Sequence, residues 1–119
     1  MQVSPASILG AEYAVLPSGQ AFTPSVPGIF IPSSALPEAT GGELDPDTGN
    51  MAEIMRSLLQ QAATYLTGLA AGDRPGRWRV TRANPATTTI AGQTGTFLRQ
   101  DYTSSHDVRV NSVDAASEA

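Results

Sequence analysis

Three features of the 119-residue chain predict an α+β fold: prolines crowded into the first half, a 3.6-residue apolar period in the middle and a two-residue period after it. The expected parts are an extended, Pro-rich N-terminal assembly arm (1–50), a body made of one long amphipathic helix and a small antiparallel sheet of three to four strands (51–113), and a polar C-terminal tail (114–119).

Of the 9 prolines, Pro5, Pro17, Pro24, Pro27, Pro32, Pro37 and Pro46 all precede residue 47. Each fixes φ, removes an amide donor and biases its predecessor toward extended backbone, so this half is expected to hold no helix. Its charges are all acidic: Glu12, Glu38, Glu43, Asp45 and Asp47. A solvated linker is polar throughout. This segment instead carries Ile8 and Leu9, then Tyr13, Phe22, Ile29, Phe30 and Ile31. Those apolar side chains need a surface, which makes the segment an arm with Tyr13, Phe22, Ile29, Phe30 and Ile31 as its contact residues.

The helix is the clearest signal. Asn50 can cap it, and Glu53 stands where a capping box needs an acid. Met51, Ile54, Met55, Leu58, Leu59, Ala62, Tyr65, Leu66 and Leu69 then recur on one helical face. Gly72 and Pro75 stop it, with the end expected between Leu69 and Ala71. Arg56, Ser57, Gln60, Gln61 and Thr64 form a polar face with almost no charge, unlike a freely solvated helix. Met51, Met55, Leu58, Ala62, Tyr65 and Leu69 also follow alternating spacings of 4 and 3, the seam of a coiled coil. The stripe is therefore wide enough either to cover its own sheet or to share a helical interface.

After the helix, Arg77, Arg79 and Thr81 alternate with Trp78 and Val80, a half-buried strand that Asn84-Pro85 breaks. A Thr-rich strand over 86–91, a turn at 92–95, a strand over 96–102, a bend at 104–106 and a last strand over 108–113 complete the expected sheet.

Composition bounds the chemistry. With no Cys and one His, a disulfide framework, a thiol nucleophile and an ordinary zinc site are excluded. No apolar run reaches the ~18 residues of a membrane span, and nothing basic precedes residue 23 to open a signal peptide. A soluble, unsecreted chain without cofactor is expected. The 69-residue body is of a size at which a single core is marginal, which favours oligomerisation.

Four constellations invite a chemical reading. Asp47-Thr48-Gly49 matches the aspartic-protease triplet, but it leads straight into a helix rather than ending a hydrophobic strand, so an Asx-type turn is expected. Asp45, Asp47 and Asn50 resemble a calcium loop, yet Asn50 and Arg56 stand where that loop needs Gly and Glu. Ser104, Ser105, His106 and Asp107 include serine-triad residue types, whose adjacent side chains diverge. Finally, Arg77, Arg79 and Arg82 around Trp78, with Arg99 and Arg109 on later strands, form a candidate charged contact face. The net charge of −4 and the absence of a basic tail disfavour nucleic acid, so this face is expected to make protein contacts.

A Pro-, Ala-, Gly-, Ser- and Thr-rich arm over 5–46 on a body with strands over 87–113 resembles the small accessory proteins of tailed bacteriophage particles. The resemblance is one of composition and layout across the whole chain, and the long central helix departs from decoration proteins of the lambda type. It implies a non-enzymatic virion structural protein assembled in the host cytoplasm, first a capsid cement or decoration protein. A tail, baseplate or fibre-adaptor component is the alternative within that class, and a small Arg-mediated nucleic-acid-binding module is the alternative outside it. The implied partners are the chain itself, as a homo-oligomer with a trimer favoured, and a major structural protein of the assembly; no membrane is involved.

Overall fold

The computed structural model describes residues 2–110 apart from Phe22 and Pro24. Phe22 of the expected arm, the 111–113 end of the last expected strand and the 114–119 tail lie outside the described residues. Helix and strand are mixed: α1 (Pro5–Leu9), α2 (Met51–Gly68), β1 (Trp78–Arg82), β2 (Ala86–Thr88), β3 (Phe97–Arg99) and β4 (Tyr102–His106), with short 3-10 turns at Ser33–Ala35, Gly41–Leu44 and Ala71–Asp73. The chain divides into two compact units, up to Leu58 and from Leu59, and the division falls inside α2.

In the first unit, α1 corrects the expectation that the Pro-rich half holds no helix. Pro5 stands at the first helical position, where an amide donor is not needed, and Ser4 caps it by accepting the Ser7 N–H. Gly10, at φ 92°, ends it. The segment that precedes α2 packs on that helix: Leu36 is buried with Met51 and Ile54, and Ala39 and Leu44 close over them. Burying each of the three large side chains contributes roughly 1.5–3 kcal/mol. Ser57 is fully buried there, and its Oγ accepts the Glu38 N–H at 2.9 Å. The Glu38 carboxylate meets Arg56 at 3.2 Å, and Arg56 also pairs with Glu53 at 2.7 Å.

Asn50 caps α2 as its position predicts, accepting the Ala52 N–H at 3.1 Å. Glu53 turns to Arg56. An acid that does reach back to a cap is Glu43, which takes the Thr40 N–H at 2.8 Å at the preceding 3-10 turn. The helix ends at Gly68, ahead of the expected 69–71, and Arg74 folds back to donate to the carbonyls of Thr67 (3.1 Å) and Leu69 (3.0 Å) left without helical partners there.

In the second unit, Ala63 and Leu66 are buried with Val80 of β1, and Leu59, Ala62 and Leu69 pack against them. Strand pairing differs from the single sheet expected: β1 pairs with β4 and β2 with β3, two antiparallel two-stranded sheets. Residues 104–106, expected as a bend, are the end of β4, with Ser104 opposite Val80 and His106 opposite Trp78. Residues 108–110, expected to start a strand, are not in one. The two sheets are successive parts of one long hairpin. Ala83 donates to Asp101, extending the first ladder, and the second starts at Ala86 opposite Arg99. Asn84 and Pro85 therefore face the single Gln100, a β-bulge at the residue that cannot donate to a ladder. Gln100 spans it, donating to the Ala83 carbonyl at 2.6 Å. At the tip, Gln93 N–H bonds the Ile90 carbonyl, with Gly92 at φ 80° as a type II turn requires.

Candidate functional site

The Asp47-Thr48-Gly49 triplet forms a turn. Asp45 Oδ1 accepts the N–H groups of Asp47 and Thr48, each at 2.9 Å, and those bonds hold the Asp45 carboxyl below the usual carboxylate range. Gly49 is buried, and a Cβ there would run into the backbone carbonyl oxygens of Glu43 and Asp45. The triplet's glycine thus has a packing reason, and its Asp47 is exposed. The N-terminal residues tie onto the same turn: Ala6 N–H bonds the Pro46 carbonyl and Met51 N–H bonds the Val3 carbonyl. Tyr13 Oη donates to the Leu44 carbonyl at 2.6 Å. Burial, and then the nearby Asp45 charge, push the Tyr13 pKa up. Tyr13, expected on a partner-facing arm, is thus engaged with its own chain. Among the described residues no group of three or more His, Cys, Asp or Glu side chains could hold a metal ion, and no helix is long and apolar enough to cross a membrane.

Of the serine-triad residue types, expected to diverge, Ser104 and His106 are brought together and Asp107 is held apart. Ser104 and His106 share a face of β4 with Oγ and Nε2 3.0 Å apart, and the His106 ring stacks on Trp78 at 6.0 Å and 19°. Asp107 is directed elsewhere: its carboxylate meets Arg79 at 3.7 Å and its carbonyl takes Arg77 Nε at 2.9 Å. A histidine without an orienting acid, stacked across the ladder on an indole, is a cross-strand pair.

The five arginines fall in three places. Arg77 and Arg109 line a shallow hollow with Asp107 and Val108, and Arg79 joins them through Asp107. Arg82 alternates with Arg79 onto the Val80 side of β1 and lines a second hollow with Ala63, Thr64, Thr67 and Gly68. Arg99 stands on β3, opposite Ala86.

The helix stripe also divides. Met51, Ile54 and Leu66 are buried, and Leu59 and Leu69 are half-buried. Met55, Leu58 and Tyr65 are exposed, Tyr65 by 67%. Ser57, assigned to the polar face, is instead fully buried, as is Ala63 to within 4%. The sequence signal for Ser57 was the near-absence of charge on that face.

Among the described residues the most exposed apolar segment is in the Pro-rich first half: Ile29 is 91%, Phe30 72% and Ile31 48% exposed, and Val26 is exposed beside them. Among the described residues, the backbone of 26–31 makes no hydrogen bond. It combines bare apolar side chains with N–H and C=O groups that have no partner among the described residues, the two properties that β-strand addition or groove binding uses.

Compared with protein-family models, curated proteins and solved structures, the chain has no significant match.

Proposed function

We propose that this chain is a non-enzymatic assembly protein that oligomerises and lays the 26–31 segment of its Pro-rich arm on a neighbouring subunit. The carrying observation is that segment itself: Ile29, Phe30 and Ile31 are exposed on a backbone that makes no hydrogen bond among the described residues. Exposing them to water is unfavourable by roughly 1.5–3 kcal/mol for each large side chain, which a partner surface would recover. The arm in this reading is narrower than 1–50, because 33–50 packs on the first turns of α2. With its resemblance to phage accessory proteins, the chain fits a capsid cement or decoration protein of the virion particle, with a tail, baseplate or fibre-adaptor component as the second place in the same class. A trimer and a major structural protein as partner belong to that same reading.

The test is the mass of the native species that contains the chain. A megadalton particle carrying many copies is expected; a free species of 12.4 kDa overturns the proposal. Full-length chain carrying Ile29→Asp and Phe30→Asp should keep its helix signal and lose the particle. The nucleic-acid alternative, drawn from Arg77 and Arg109, would instead give retardation of DNA that weakens steeply with salt.

A further inference from the structure

We infer that the stripe of α2 formed by exposed Met55, Leu58 and Tyr65, with half-buried Ala62 between them, is a two-fold contact with the same stripe on a second copy of the chain, the two helices antiparallel. The inference rests on the assembly reading, replaces its trimer with a two-fold pair and assigns the self-contact to a surface other than the arm. Met51, Ile54 and Ser57 face inward in the first unit and Ala63 and Leu66 in the second, where Ala62 packs half-buried against the core, while Met55 is left 42%, Leu58 37% and Tyr65 67% exposed.

Three observations name a second copy as the occupant. First, the spacing of the four is 3, 4 and 3, the a/d period by which one helix packs on another. Second, that spacing reads the same in both directions, so a two-fold axis near Gln60 sets Met55 against the partner copy's Tyr65, and Leu58 against its Ala62. Each layer then joins a larger side chain to a smaller one, whereas a parallel pair sets Ala62 on Ala62 and leaves a gap. Third, identical charges would repel across such an axis, and none is present. The exposed flanking positions are Ala52, Gln61 and Gly68, and the charged helix residues, Glu53 and Arg56, are engaged with each other and with Glu38. Antiparallel packing also opposes the helix dipoles favourably. The stripe is smaller than a standard protein interface of roughly 1,200–2,000 Å², so the pair is expected to be weak and to form with rising concentration.

Sedimentation equilibrium on full-length protein tests this. Wild type should move from 12.4 kDa toward twice that mass as concentration rises. A Met55→Glu, Tyr65→Glu variant should stay at one chain with unchanged helix signal. A Met55→Glu, Tyr65→Lys variant should associate like wild type, because each Glu then faces a Lys of the partner copy; a parallel pair would set Glu on Glu. Wild type that stays monomeric, a three-chain end point, a Glu/Glu variant that associates normally or a Glu/Lys variant that dissociates would each overturn the inference. The Ile29→Asp, Phe30→Asp chain should self-associate normally; if it also keeps its particle, the arm reading fails while the helix contact stands.

Discussion

Replacing Ser57 by Ala removes one oxygen from a site where nothing can substitute for it. Ser57 has no exposed surface, and its Oγ is the acceptor for the Glu38 N–H at 2.9 Å. Alanine favours the helix over serine by up to about 0.7 kcal/mol, so a measured loss understates the hydrogen bond and does not come from weakening the helix. The stranded N–H sits in a part-buried strip between Leu36 and the helix, with Arg56 and Glu38 paired beside it. An unsatisfied buried donor costs about 1–3 kcal/mol, a sizeable fraction of the roughly 5–15 kcal/mol that holds a typical domain together. Urea denaturation followed by helix circular dichroism measures the loss, with Gln61→Ala, an exposed helix position, as control. Limited proteolysis should also find the 36–44 segment cut sooner in the variant. A Ser57→Ala chain within 0.5 kcal/mol of wild type, and equally resistant over 36–44, would refute the claim that this hydroxyl pins the segment to the helix.

Four further outcomes follow from the same geometry. Leu66→Ala, at a buried site, should cost about 2–5 kcal/mol in thermal or urea unfolding, whereas Leu58→Ala, more than a third exposed, should cost about 1 kcal/mol or less. Gly49→Ala should destabilise by about 1–3 kcal/mol, because the new methyl meets backbone oxygens that cannot rotate away. Asp45 has its folded pKa depressed, first by the Thr48 N–H and then by the Asp47 N–H, so the stability it provides is present above the ordinary carboxylate pKa of about 3.9 and is lost as pH falls through its lower folded value. Acid titration of stability should therefore be flatter in Asp45→Asn than in wild type. Tyr13 has its pKa raised, so its contribution is present below the ordinary phenol pKa of about 10 and is lost as pH rises through the folded value; Tyr13→Phe should remove that alkaline loss.

What the sequence reveals here depends on the length of each pattern. The helix announces itself over five turns, and its Asn50 cap needs only local chemistry to be recognised. β1 is legible for the same reason, because Trp78 and Val80 alternate with arginines. By contrast, β4 is a run of Thr and Ser ending in His that carries strand structure only because β1 lies beside it, a partner 20 or more residues away. Helix α1 was hidden by proline density, since counting prolines ignores that one of them can begin a helix. Ser57 was misplaced because periodicity ranks side chains by polarity, and a serine with a backbone donor aimed at it behaves as core. Among the candidate constellations, the Asp45 turn could be foreseen from Asx chemistry. The split of Arg79 from Arg82 follows from strand alternation, whereas the place of Arg99 required knowing where the bulge falls.

That bulge divides the hairpin into an inner part, clamped by Val80 in the core and by Tyr102 Oη on Gln60 at 2.8 Å, and an outer part, residues 86–99, whose paired strands are exposed on most of their side chains. The extra residue on one side, together with a proline that donates nothing, means that the outer ladder does not set the inner register; the Ala83 to Asp101 bond closes that register on its own. Residues 86–99 are therefore a natural place for grafting. Foreign peptides of varied length can replace the Ile90 to Gln93 turn, and the inner strands should hold their pairing under all of them, turning the hairpin into a display stalk on a helix-anchored base.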